Sequence, residues 1–241
     1  MDDDHDSGIE DNESTTSTSL KSSMEDYKYE NGRRYHAFRA GEYPLPNDET
    51  EQARMDLLHH IWRLMLGGGL LLSNIHDPQR ILDVGTGTGI WAIDIADEYP
   101  GAQVVATDLS PIQPAWVPPN CSFYVDDAES EWDFEPFDLI HGRSLGGSIS
   151  DWPRFYRQCF QNLKPGGCLE MQEHDAWISA LEQEPPWTAH WNVTLNEASA
   201  MFGKYLNVAN KHVDWMRDAG FVNVEDRVFQ VSLSEGCSCP R

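Results

Sequence analysis

Arg80–Pro100 reads RILDVGTGTGIWAIDIADEYP, and this stretch decides the fold. Ile81, Leu82 and Val84 are the apolar run of a short buried strand, and Gly85, Gly87 and Gly89 make a tight loop. Ile90–Tyr99 has the apolar spacing of a helix, with Ile90, Ile93 and Ala96 on one side and Asp94, Asp97 and Glu98 on another. A strand running into a glycine loop and then a helix brings a ligand close to free backbone N–H groups at a helix N-terminus. The stretch reads as a ligand-binding turn.

Glycine spacing narrows the ligand. A dinucleotide fold uses G-x-G-x-x-G, and Ile90 stands where its third glycine would fall. The Walker phosphate loop needs Lys and then Ser or Thr after its last glycine, and neither follows Gly89. The order is Asp-x-Gly-x-Gly-x-Gly, with Asp83 at the strand end. An acid there suits a cationic ammonium and repels a pyrophosphate. That points to an amino-acid-bearing ligand such as S-adenosylmethionine (SAM).

Composition sets the surroundings. At 241 residues the chain can bury one good core, so one domain plus a tail is expected. Forty acidic residues against 17 basic ones give a formal charge of -23. No basic patch is visible, so a nucleic-acid backbone would be repelled, and a basic partner or a small molecule fits better. Five cysteines without zinc spacing (Cys121, Cys159, Cys168, Cys237 and Cys239) read as reduced thiols. The sequence has no apolar leader and no apolar run of about 18 residues, so an intracellular, soluble protein with no membrane partner is expected.

Residues 1–25 are Asp, Glu, Ser and Thr with almost nothing to bury, the composition of a disordered, solvated tail. The domain is expected over 26–233, and 234–241 is an atypical short end. Tyr27–Pro46 is rich in aromatic residues and arginine, and it either closes over a pocket or packs as a strap on the surface. Asp48 and Glu51 have the spacing of a helix cap, and Leu57, Leu58, Ile61, Trp62, Leu64 and Met65 supply the apolar stripe that follows. His59 and His60 are adjacent and face different directions on that helix, so they are not expected to share a metal, and no metal site is expected elsewhere.

Downstream, Gln103–Thr107 is a second strand ending in Asp108. This acid lies about 20 residues beyond the glycine loop, where a strand-end carboxylate accepts ribose hydroxyls. Cys121–Val125 is a third strand, followed by Asp126, Asp127 and Ala128. Either carboxylate there suits an adenine amine, and Asp127 is preferred. Phe137–Ile140 is a fourth strand running into His141 and Arg143, and Pro153–Leu163 is a helix with Phe155, Cys159 and Phe160 inward. Lys164–Gly167 reads as a helix-stop turn and Cys168–Met171 as the fifth strand. His190–Leu206 and Val213–Ala219 read as helices, and Phe221–Leu233 as a sixth strand. Strands alternating with helices predict an α/β fold, a parallel sheet with helices on both faces.

The run Leu82–Gly89, with Asp108, Asp127-Ala128, FDLI and LKPGG, resembles the Rossmann-like class I SAM-dependent methyltransferases in order and spacing. YENGRRYHAFRAGEYPLPNDETEQARMDLLHH, FDLIHGRSLGGSISDW and LKPGGCLEMQEHD further resemble the fungal LaeA-like methyltransferases, regulators of secondary metabolism that associate with velvet proteins. The resemblance covers about residues 27–233. It implies SAM as cofactor, with Gly85, Thr86, Gly87 and Gly89 under its methionine part and Asp83 near its ammonium. It further implies Asp108 at the ribose and Asp127 at the adenine amine, with Leu109, Asp126 and Ala128 among the cofactor-binding residues. His141 and Arg143 would line the methyl-transfer side, and Tyr29, Arg34, Tyr35 and His36 would cover the cofactor. Velvet-type partners and a nuclear location, as against a cytoplasmic one, are implied in the same way. The family adds a seventh, antiparallel strand, whereas here the chain ends eight residues past Leu233 in SEGCSCPR, so that last strand is expected to be missing.

For the chemistry, His141 is the best candidate base, its alternative being a packed histidine, with Glu173 and His174 as weaker candidates. No Asn/Asp-Pro-Pro-Tyr or Pro-Cys motif of DNA methyltransferases is present, which leaves a protein or small-molecule acceptor. A SAM-binding regulatory subunit with little turnover is the competing reading.

Overall fold

The computed structural model describes residues 27–176 and 185–231. The expected acidic tail and the short end 234–241 lie outside the described residues. The chain begins with a small antiparallel hairpin, β1 (Lys28–Glu30) and β2 (Arg33–Tyr35). Its two-residue turn is Asn31-Gly32, both at positive φ, the conformation that matches strand twist in a tight hairpin. Helix α1 (Glu49–Met65) follows, and Asp48 caps it by accepting from the Glu51 N–H at 3.1 Å.

The main sheet has five parallel strands: β3 (Arg80–Val84), β4 (Gln103–Asp108), β5 (Cys121–Val125), β6 (Phe137–Arg143) and β7 (Leu163–Gln172). Their order is β5-β4-β3-β6-β7. Helices α2 (Ile90–Glu98), α3 (Trp152–Gln161), α4 (Pro186–Phe202) and α5 (His212–Ala219) complete the regular structure. The order reverses beside β3, and ligands of open α/β sheets bind at the carboxyl ends of strands at such a switch point.

Successive residues on one strand face opposite sides, which gives a core on each face of the sheet. Ile81, Val104, Ala106 and Leu139 pack on Trp91, Ala92 and Ile95 of α2. Leu82, Val84 and Ile140 pack on Trp152, Phe155, Tyr156 and Cys159 of α3, with Trp215 of α5 behind them. Trp152 and Trp215 stack at 5.7 Å, and the Tyr156 hydroxyl is bonded to His212. The Asp138 carboxylate staples the lower edge, accepting from the Gln79 and Arg80 amides and the Lys164 ammonium at 2.8–2.9 Å.

Several expectations need correction. Phe221–Val231 carries no strand and is largely exposed, so no sixth strand joins the sheet among the described residues. Lys164–Gly167 lies within β7, where the register slips between Phe137 and Leu139. Gly166 at φ +84 keeps the turn conformation inside that irregularity. On α1 the buried residues are Glu51, His59 and Trp62, while Leu57 and Leu64 are exposed, because the face turned inward borders a polar cleft. Phe160 is half exposed and rests edge-on against Phe221 at 5.2 Å. Helix α4 begins at Pro186 and ends at Phe202, capped by Gly203 at φ +85.

Leu139 is fully enclosed at the centre of the sheet. Leu139→Ala is expected to cost about 2–5 kcal/mol in urea unfolding, whereas a cost below ~1 kcal/mol would mean that this layer is not the core.

Candidate functional site

Carboxyl ends of β3, β4 and β6 open into a cleft of about 1230 Å³, counting its solvent-open mouth. The turn after β3 forms its floor. Gly85, Gly87 and Gly89 take φ of 67°, 60° and 81°, a region that L side chains rarely adopt. A Cβ on Gly85 would stand 2.5 Å from Leu145 Cδ2, and one on Gly89 would stand 2.5 Å from Phe123 Cζ. The first two of these glycines line the cleft; Gly89 does not, and instead lets α2 pack closely on β5.

The turn is tied to β4. The Thr86 amide donates to the Thr107 carbonyl at 2.9 Å, and the Gly87 amide donates to the Asp108 carboxylate at 2.8 Å. The other Asp108 oxygen accepts from the Ser110 amide at 2.8 Å. Burial raises the Asp108 carboxyl to about 6 even though these amides pull it down. Gln113 closes the corner by donating to the Gly87 and Ser110 carbonyls.

Asp83 is buried at the end of β3 with both oxygens engaged. One accepts from Thr86 Oγ1 at 2.6 Å, and the other meets His141 Nδ1 at 2.7 Å across the β3–β6 pair. The His141 ring is fully enclosed, lies flat on Trp91 at 3.6 Å, and leaves Nε2 without a partner among the described residues. His141 is therefore a floor residue and not an exposed one. Asp126, Asp127 and Ala128 follow β5 on the far wall with Leu109. Asp127 accepts from the Glu129 amide and Ser130 hydroxyl and faces Arg39 Nε at 3.4 Å.

The N-terminal strap closes one side, through Tyr43, Pro46 and Asn47. Tyr29, Arg34, Tyr35 and His36, expected to cover the site, do not line it. Tyr29 is exposed, and Arg34 instead fastens the strap to the Asn47 carbonyl and Glu49 at 2.7 and 2.8 Å. Asn47 Nδ2 in turn donates to Ser110 Oγ at 3.3 Å. Lys204, just past α4, reaches Glu42 of the strap at 3.1 Å and Glu129 at 3.5 Å, clasping three segments over the cleft.

The sequence matches a family model described as a methyltransferase domain over residues 57–226. A methyltransferase named pytC from Aspergillus terreus is 43% identical over 234 residues, covering 93% of this chain and 71% of the relative. The chain belongs to the methyltransferase family. A secondary metabolism regulator laeA from Aspergillus flavus is 46% identical over 90% of this chain. A protein-methionine methyltransferase laeA from Emericella nidulans is 37% identical over the same share, and the chain spans 60% of each of these two. Among solved structures, Haemonchus contortus phosphoethanolamine N-methyltransferase 2 in complex with S-adenosyl-L-methionine superposes with a TM-score of 0.51 at 23% identity, over 68% of this chain and 38% of that one. Human N-acetylserotonin methyltransferase gives 0.50 at 15% identity, over 77% and 59%. These two support the class I methyltransferase fold.

In this methyltransferase-family chain, the cleft holds every expected cofactor residue except Gly89. It adds Tyr43, Asn47, Arg54, His59 and Lys204, which sequence reasoning did not assign to it. A polar residue on the inward face of α1 was the available sign for His59, and nothing local marks Lys204. Glu173, past β7, is buried and accepts from the Gly146 and His174 amides. His174, half exposed, lies beside Ser144 at 3.4 Å.

Burial pushes the Glu173 carboxyl up to about 7 from 4.5. The folded state then holds this proton more tightly than the unfolded state, so the contribution of Glu173 to stability is greatest below the unfolded value and is lost as pH rises through 7, to about 3 kcal/mol at most. The melting temperature of wild type is expected to fall more steeply between pH 5 and 8 than that of Glu173→Gln. Parallel pH profiles would contradict this.

Proposed function

We propose that the chain is a SAM-dependent methyltransferase of the LaeA-like type, acting on a protein or small-molecule acceptor in the regulation of secondary metabolism. The observation that carries this is the glycine turn, held at positive φ that L side chains rarely adopt, beside buried Asp83 and half-buried Asp108 at the ends of adjacent strands. Such a cradle suits a nucleoside joined to a cationic amino acid. Gly85, Thr86 and Gly87 would lie under the amino-acid part, with Asp83 toward its ammonium. Asp108 and Leu109 would hold the ribose, and Asp126, Asp127 and Ala128 the adenine. When bound, SAM supplies an electrophilic methyl group on a sulfonium.

What the chain's own residues contribute is position and exclusion of water. His141 holds Asp83 in place, since one ring nitrogen is committed to that carboxylate and the ring face to Trp91. An enclosed imidazole is poorly placed to reach an acceptor, and Arg143 keeps its proton. The site therefore favours an acceptor that presents a lone pair without losing a proton, such as the thioether implied by the name of the protein-methionine methyltransferase relative. Velvet-type partners and a nuclear location belong to this reading through the LaeA-like relatives.

Calorimetry with SAM tests the binding part. Wild type is expected to bind in the micromolar range, and Asp108→Ala to bind about 10-fold or more weakly, because charge-assisted hydrogen bonds are lost. Because the Asp108 carboxyl sits near 6, wild-type affinity should fall severalfold from pH 7.5 to 5. Equal affinity in both proteins would remove Asp108 from the site. For turnover, labelled methyl transfer into a cell extract should be seen with wild type and not with Gly87→Glu, whose side chain would enter the floor beside Met55. Equal labelling by the two would exclude catalysis in this cleft.

A further inference from the structure

Three permanently cationic side chains line the cleft, and two of them are already neutralised. Arg54 donates twice to Glu51 Oε1, at 2.6 and 2.9 Å. Lys204 lies between Glu42 and Glu129. Arg143 differs. Among the described residues no carboxylate lies within ion-pair distance of it, although the chain carries a formal charge of -23.

Among the described residues its one side-chain hydrogen bond runs to a neutral acceptor: Arg143 Nη2 donates to His59 Nδ1 at 2.9 Å. His59 Nε2 then meets Asp94 at 3.1 Å, and Asp94 is held by Arg63 at 2.9 Å. These partners fix the His59 tautomer, with Nδ1 free to accept and Nε2 donating. The guanidinium is thus aimed by a three-residue prop and left electrically open. The acids that act on it from further off, Asp83 and Asp94, are both committed to other groups. A partly buried cation with no counter-ion is costly unless something supplies one.

Position says what that something is. Strands β3 and β6 run side by side with Asp83 opposite His141 and Val84 opposite Gly142. Arg143 is the next residue along, level with Gly85 at the start of the turn. An acid that suits an ammonium and an open guanidinium that suits a carboxylate stand on neighbouring strands, one at each side of the same floor. We propose that Arg143, aimed by His59 and Asp94, receives the α-carboxylate of the cofactor's amino-acid end, and is a binding residue that selects for an intact amino acid. This rests on the SAM reading given above. An anionic acceptor is the other source of a carboxylate, and the experiment separates the two.

Calorimetry with three probes decides it: S-adenosylhomocysteine, its decarboxylated amine counterpart, and 5′-methylthioadenosine, which lacks the amino-acid end. Wild type is expected to prefer S-adenosylhomocysteine over the decarboxylated compound by about 10- to 100-fold, the usual worth of a charged hydrogen-bonded pair. Arg143→Gln should bring that ratio close to one while leaving methylthioadenosine affinity within about twofold, since that probe does not use the guanidinium. His59→Phe, which removes the prop, should reduce the ratio severalfold. A wild-type ratio near one overturns the proposal whether or not Arg143→Gln folds. So does a ratio that survives in Arg143→Gln, the pattern expected if Arg143 serves the acceptor. In both of those cases S-adenosylhomocysteine still binds and the cofactor reading stands. If wild type binds none of the three probes, the cofactor reading fails and takes this proposal with it.

Discussion

The buried Asp83 carboxylate is the constraint on which the site depends. It stands where β3 ends and the glycine turn begins, and its two oxygens reach in two directions. Thr86 draws the turn back over the strand, while His141 locks β3 to β6 at the level of the cleft floor. A buried carboxylate must find such partners or lose its charge. Here the partners are the groups that shape the ligand site. Asp108 repeats the arrangement one strand away, its carboxylate spanning the Gly87 and Ser110 amides. The turn is thereby fixed from both sides before any ligand arrives.

Around that floor the cleft is divided by charge. Asp83, Asp108, Asp126 and Asp127 present acid along β3, β4 and β5, while the cations come from α1, the end of β6 and the segment after α4. The chain's excess of acid makes the cationic side informative, because a cation left without a partner there is the exception. The strap from Tyr27 to Asn47 adds enclosure. It is held by Arg33 on Asp48, by Arg34 on Asn47 and by Lys204 on Glu42, so closure of the site is built from ion pairs and hydrogen bonds rather than from a greasy contact.

Much of the fold could be read from the sequence because parallel strands buried on both faces declare themselves as short apolar runs. β3, β4, β5 and β6 were legible for that reason, and Asp83, Asp108 and Asp127 were legible because they punctuate strand ends. Lys164–Gly167 carries turn chemistry and is a turn locally, yet the backbone re-enters the ladder around it. Phe221–Val231 alternates like a strand but finds no strand to pair with among the described residues, and alternation without a neighbour makes no sheet. The apolar residues of α1 misled in the other direction, since that helix turns His59 inward to border a polar cleft. Lys204 and the Arg143–His59–Asp94 relay depend on segments far apart in the chain, and no local pattern encodes them. For His141 the packed alternative is the one the structure shows, and the ring that encloses it, Trp91, comes from another element that no local pattern names.

The most direct test of the central claim, that the turn after β3 and its two acids form a SAM site, is a crystal structure of the chain with S-adenosylhomocysteine. Density is expected across the carboxyl ends of β3 and β4, with the adenosine end toward Asp108 and Asp127 and the amino-acid end over Gly85–Gly87 between Asp83 and Arg143. Density elsewhere on the molecule, or an adenosine lying over Asp83 with Asp108 untouched, would contradict it.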